Sequence, residues 1–255
     1  MPEHSNWLSI LLGGFRSNLE HNAHHLGKSF IGQKDPTWHS WEPLIASLLV
    51  FVLMFLIAGA VRARLANPDE AVLPEDKLTL RTFMETFLGY FYDLCKSVMG
   101  PVRAKKYFHV VGGSALFVFV SNILALIPGA PVATSNLNIT FGCAAVVFVL
   151  FNLYGLQENG MAYIKHLAGP KWWLAPLIFP IEIISLCVRP VTLAVRLMMN
   201  MSVDHIVLGT FMGLIAVVVP LPVMLLGCLV IVIQTLVFAL LTAIYIGLAT
   251  EHEEH

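Results

Sequence analysis

Charge is sparse in this chain. Its 255 residues include 15 Lys or Arg and 16 Asp or Glu, 12% in all, against about 25% in soluble domains. Net charge is −1 and the isoelectric point is about 6.8, which excludes the basic field of a nucleic-acid binder. Cysteine is sparse too. Cys95, Cys143, Cys187 and Cys228 stand far apart without a Cys-x-x-Cys, so they read as small core residues, not as a disulfide framework or metal ligands. The chain lacks a P-loop, a Gly-x-Gly-x-x-Gly loop and a Gly-x-Ser-x-Gly elbow, so ATP chemistry does not reside in it. His21-Asn-Ala-His24-His25 is not His-Glu-x-x-His and has no ligand cluster beside it, which disfavours a metal site and a membrane-embedded hydrolase. No cofactor is expected.

Apolar residues are what the chain has in abundance: 57% of the total, with a mean hydropathy of +0.77. A soluble fold of this size cannot hide so much apolar surface. The chain reads as an all-α, multi-pass integral membrane protein, and disorder and a coiled coil are excluded with the same numbers. Residues 1–107 carry 11 basic and 10 acidic side chains, residues 108–250 only seven charges, and the tail Glu251-His-Glu-Glu-His255 three. A polar N-terminal segment (1–43) therefore precedes a single membrane domain (44–255). The first long apolar run starts at Leu44, too far in for a signal-peptide core.

A spanning helix needs about 20 apolar residues. Runs at 44–61, 110–127 and 139–156 meet that need. The stretch 174–219 is apolar for 46 residues and 221–249 for 29. As one helix the first would measure roughly 69 Å against a hydrocarbon core of about 30 Å. It holds either two spans or one steeply tilted helix, with Pro220 and Pro222 marking the turn and Pro190 a potential kink. Loop 62–107 carries eight Lys or Arg, loop 128–138 none and loop 157–171 two. Positive loops face the cytoplasm, so the N-terminus is expected outside. Phe83, Phe87, Leu88, Phe91 and Leu94 recur at helical spacing, which predicts an amphipathic helix over 80–98 along the interface.

Five ionisable groups interrupt the apolar segment 174–219: Glu182, Arg189, Arg196, Asp204 and His205. An arginine at bilayer depth costs at least about 2.5 kcal/mol, so a chain that keeps one needs compensation. Spacings of seven put Glu182, Arg189 and Arg196 on one helix face, with Asn200 four residues further on; His205 falls opposite Arg196. Glu182 with Arg189 also fits a plain buried ion pair. Arg196 does not: Thr192, Leu193, Met199 and Asn200 stand one turn away, and none is acidic. His205 also fits a packing role, and Gln234 and Tyr245, eleven apart on one face, also fit interhelical hydrogen bonds. Mid-membrane charges suit a secondary transporter as well, but no internal repeat is visible and five spans do not halve.

At these residues the chain resembles the a subunit of the membrane sector of F-type ATP synthases. The likeness rests on Arg189-Pro-Val-Thr-Leu-Ala-Val-Arg196-Leu-Met-Met-Asn200, on Phe119-Val-Ser-Asn122-Ile-Leu-Ala-Leu-Ile-Pro128-Gly129, on Ser135-Asn136-Leu-Asn138-Ile-Thr140, on Ile233-Gln234-Thr-Leu-Val-Phe238 and on the acidic tail. It covers most of the chain, residues 1–43 least. It implies that 174–219 is one helix, paired with 221–249 as a tilted hairpin beside a rotor ring, with the C-terminus in the cytoplasm. It implies a non-catalytic subunit whose partners are a c-subunit ring, b-type stalk subunits, the rest of the synthase and membrane lipid. It implies that Arg196 faces ring carboxylates and separates two aqueous half-channels. Glu182, Arg189, Asn200, Asp204, His205, Asn122, Asn136, Asn138, Gln234 and Tyr245 are then candidates to hold water and relay protons. Asn136 stands where many members carry aspartate, and Arg189 where many carry lysine. Gly227 stands where some carry a histidine or glutamate that pairs with the group at the His205 position; Asp204 is a candidate substitute.

Overall fold

The computed structural model describes residues 38–64, 79–127, 134, 136–160, 175–214 and 220–250. Within them lie six helices: α1 (Trp38–Arg64), α2 (Leu80–Met99), α3 (Pro101–Leu126), α4 (Leu137–Asn159), α5 (Ala175–Leu214) and α6 (Pro220–Ala249). Five are long and apolar enough to cross a membrane: all but α2. The polar N-terminal segment, the His21–His25 cluster, Lys77, the 161–174 connection and the acidic tail lie outside the described residues.

The 174–219 puzzle resolves to one helix. α5 runs 40 residues through Pro180 and Pro190, roughly 60 Å at 1.5 Å per residue. α6 adds 30 residues. Each exceeds an upright crossing. The sequence reading needs three corrections here. Pro220 does not sit in a turn but opens α6; proline suits a first helical turn because its missing N–H has no partner there anyway. The second span starts at Pro101 rather than Val110, since Arg103, Lys105 and Lys106 lower local hydropathy without breaking the helix. Of the cysteines, Cys187 and Cys228 are exposed on the membrane face of α5 and α6, where small apolar side chains need no core.

α2 is joined to α3 by a single residue. Gly100 has φ +80°, its N–H donates to the Lys96 carbonyl, and Pro101 starts the next helix. Positive φ is open to glycine at no steric cost. Thr79 caps the N-terminus of α2 by accepting from the Thr82 N–H. Met84, Phe91, Cys95 and Met99 form the buried side of α2. Phe83 and Phe87 lie to its flank and reach Phe119 of α3, with ring centroids 6.0 and 4.8 Å apart. Burial pushes the Cys95 thiol up to about 11. In the folded, detergent-solubilised protein, Cys95 is therefore expected to resist maleimide at pH 7.5 and to label at once on unfolding. Labelling as fast as that of Cys187 would refute its placement.

α3 and α6 form the centre, with α2, α4 and α5 around them. Lipid is as apolar as leucine, so such helices associate through close packing of small side chains. Ala115, Ala239 and Ala243 are fully buried between them, and Gly227 leaves space that Leu126 fills, 3.1 Å from where a Cβ would stand. The outward side is apolar: Phe55, Leu56, Ile184, Ile206 and Leu225 are exposed, as lipid contact allows.

Candidate ion-path site

α5 and α6 are tied together at two points. Asn200 Nδ2 donates to Gln234 Oε1 at 2.6 Å, and the Arg189 guanidinium lies 5.3 Å from the centre of the Tyr245 ring. Eleven residues separate Arg189 from Asn200, and eleven separate Gln234 from Tyr245. Eleven residues make about three turns, so both ties belong to one antiparallel register. Gln234 thus makes the interhelical hydrogen bond expected of it, whereas Tyr245 offers its ring face to a cation. A cation–π contact away from water is worth about 2 kcal/mol. Tyr245→Leu is expected to lower the stability of the solubilised protein by about 1–2 kcal/mol, while Tyr245→Phe leaves it unchanged. Equal denaturant midpoints for the two would remove this contact from the account.

Arg196 lies between the two ties. It is half-buried, with Leu193 and Leu197 buried inward of it and Val195 and Met199 exposed. Among the described residues, Arg196 forms no ion pair, and neither does Glu182 or Arg189. The plain Glu182–Arg189 pair is not formed: Glu182 is half-buried one turn from exposed Phe179, and Arg189 has turned to Tyr245.

One turn beyond Asn200, a pocket of about 30 Å³ opens between α3, α5 and α6, with Asn122, Asp204, His205 and Gly227 in its lining. A water needs about 10–15 Å³, so the pocket has room for about two. The imidazole of His205 also meets the backbone of Ala125. Asn122 is buried and accepts from Thr134 Oγ1 at 3.3 Å, which aims its amide. Three sequence candidates from two helices, Asn122, Asp204 and His205, therefore share one small pocket whose other walls are apolar.

Two candidates lie elsewhere. Asn136 caps α4, its Oδ1 accepting from the Asn138 N–H at 2.9 Å. Asn136 and Asn138 line a separate cavity of about 640 Å³ between α1, α3 and α4, with Ser47, Phe51, Ser114 and His109.

The sequence reading missed a polar cluster at the other end of α6. Lys106 pairs with Glu158, and the Tyr107 hydroxyl donates to the same carboxylate at 2.5 Å. Arg103 Nη1 donates to the Gly247 carbonyl at 3.4 Å and Asn159 Nδ2 to the Ala249 carbonyl at 3.1 Å. These donors satisfy carbonyls that the end of α6 leaves open. The available signal was a charged turn just ahead of an apolar run.

A family model described as "ATP synthase A chain" matches residues 43–247. The chain is 59% identical to ATP synthase subunit a of Sorangium cellulosum over all 255 residues, the full length of both. It is 45% identical over 213 residues to ATP synthase subunit a 1 of Syntrophotalea carbinolica, 84% of each chain. It is 39% identical over 198 residues to ATP synthase subunit a of Bdellovibrio bacteriovorus, 77% of this chain and 86% of that one. With five apolar helices and a match that spans the long α5–α6 pair, this multi-pass membrane protein belongs to the ATP synthase A chain family.

Proposed function

We propose that the chain is the stator of a rotary, F-type ATP synthase and carries protons to and from carboxyl groups on a ring of c subunits. The observation that carries this reading is Arg196: a guanidinium midway along the apolar span of α5, half-buried, unpaired among the described residues, beside exposed Val195 and Met199. A buried arginine without a partner is too costly to be left so. A counter-charge supplied by a passing subunit answers that cost.

The chemistry follows from two environments. A ring carboxyl facing lipid is held protonated, because desolvation disfavours its anion. Opposite Arg196 the anion is favoured, and arginine keeps its own charge throughout. A proton that enters by one aqueous half-channel neutralises a carboxylate, which then turns into lipid; after nearly a full turn the proton leaves by the other. Arg196 separates the two paths. The pocket of Asn122, Asp204 and His205 suits one of them: it gathers three polar side chains, is sized for water, and lies one turn from Asn200. Histidine is the side-chain type whose ordinary pKa lies nearest neutrality, as such a relay needs, and Asp204 lines the pocket where Gly227 brings no side chain. On the far side of Arg196, Glu182, Arg189 and Tyr245 are the polar groups of the second path. Asn136 and Asn138 stand apart from both and serve the α1 side.

In this reading the subunit catalyses nothing itself. It sits in a bacterial inner membrane with the N-terminal segment outside and the tail in the cytoplasm, bound to the c ring and to b-type stalk subunits. Mild solubilisation of native membranes tests it: small hairpin c subunits and stalk subunits should purify with the chain. A chain that purifies alone and carries solute in vesicles is instead a secondary transporter.

A further inference from the structure

Among the described residues, two buried side-chain polar atoms have no hydrogen-bond partner: Ser121 Oγ and Gln234 Nε2. Ser121 is 1% exposed and Gln234 3%. Both facts run against habit. Serines and threonines inside apolar helices usually satisfy themselves on a carbonyl one turn back, and Ser114 on α3 and Thr235 on α6 do so at 3.0 and 2.8 Å. Ser121 does not. The Gln234 amide spends its oxygen on Asn200, which leaves its NH₂ group to find an acceptor.

The register of α3 against α6 brings the two residues to neighbouring levels. Leu126 meets Gly227, and Arg103 meets Gly247, so the helices run antiparallel in close contact. Counted from Leu126–Gly227 the two differ in level by two residues, and counted from Arg103–Gly247 by five, an axial offset of about 3–8 Å. Asn122, next to Ser121, and Ile231, one turn before Gln234, line the pocket of Asp204 and His205. Ser121 and Gln234 therefore form the layer just inward of that pocket, level with Asn200 and one turn from Arg196.

We propose that Ser121 and Gln234 hold a bound water between them, and that this water is the last link from the Asn122–Asp204–His205 pocket to the Asn200–Arg196 level. The water accepts from the Gln234 NH₂ and exchanges a hydrogen bond with the Ser121 hydroxyl, which satisfies both orphans. Ser121 acts through the water and is a positioning residue; no charge on the protein is needed at this step. The inference rests on the proton-path reading above.

The test uses the whole synthase in inverted membrane vesicles, with proton flux through the membrane sector as the readout. Ser121→Ala is expected to lower flux about three- to tenfold, the size of one neutral hydrogen bond, with the amount of assembled complex unchanged. Ser121→Cys, in a background whose four native cysteines are replaced by alanine, is expected to conduct and then to be blocked by Ag⁺, which displaces the thiol proton and forms an S–Ag bond only where water reaches. A residue that merely packs would not gain silver sensitivity. Wild-type flux in Ser121→Ala, or a silver-resistant Ser121→Cys, overturns the proposal. If Ser121→Ala fails to assemble, the silver result on Ser121→Cys decides alone. Arg196→Ala run in parallel separates the two levels: loss of coupling there with normal Ser121 variants removes only the water link, whereas retained coupling removes the proton-path reading itself.

Discussion

Arg196→Ala is expected to abolish proton-driven ATP synthesis while the complex still assembles. A carboxyl beside a guanidinium has its pKa lowered by about 1–3 units. Removing the guanidinium thus cuts the anionic population of the facing carboxyl by about ten- to a thousandfold, and with it the release of each proton. It also removes the barrier between the two water paths, so protons that still move should do so without turning the ring. Arg196→Lys should fail too, because a lysine can shed its charge when desolvated, and its point charge does not reproduce the planar fork. Assembly should survive: Arg196 forms no ion pair among the described residues, while the α5–α6 pair is held by Asn200–Gln234 and Arg189–Tyr245. The measurement is ATP synthesis under an imposed proton gradient, alongside the yield of intact complex. Synthesis at the wild-type rate in Arg196→Ala would refute the assignment.

His205→Ala is expected to have the next largest effect, a fall in proton flux of about 10- to 100-fold, the lower range of what a positioned proton donor or acceptor contributes. The shape of the pH profile matters as much as the size. A relay that titrates near neutrality imprints its own protonation on the rate, so removing it should flatten that limb of the curve. The pocket holds a second ionisable group, Asp204, and an amide, Asn122. Asp204→Asn should therefore depress flux by itself and, combined with His205→Ala, by less than the product of the two single effects, since both act on one pocket. A profile in His205→Ala that keeps its wild-type shape returns His205 to packing.

Much of the architecture was legible because lipid imposes a simple rule. With no water to satisfy backbone groups, a spanning segment must be a helix, so apolar length alone located α1, α3, α4 and α6 and the stretch of α5, whose reading as one helix came from the family resemblance. The charged first turn of α3 was missed for the same reason in reverse: hydropathy drops at Arg103, Lys105 and Lys106, although the helix continues and Tyr107 and Lys106 find Glu158 on α4. Around α2, the spacing of Phe83, Phe87, Leu88, Phe91 and Leu94 announced the helix but not its buried side. That side is set by where α3 and α6 stand, and it runs instead through Met84, Phe91, Cys95 and Met99.

The site divided along a similar line. That Arg196 lacks an acid one turn away is a property of the chain order, and so is the shared face of Arg189, Arg196 and Asn200, because a helix repeats every 3.6 residues whatever surrounds it. Sequence alone also determined the membrane class and the length of the final pair. Which polar groups meet was decided only by tertiary packing. Asn122 and His205 are 83 positions apart and Ser121 and Gln234 are 113 apart, yet the packing of α3, α5 and α6 brings the first pair to one pocket and the antiparallel run of α3 and α6 brings the second to neighbouring levels. Packing of α4 beside α1 and α3 sends Asn136 and Asn138 to another cavity, and the pairing of α5 with α6 sets Arg189 against Tyr245 rather than Glu182. Periodicity describes one helix at a time; the angle and register between helices come from side-chain packing across their interface, which no single segment encodes.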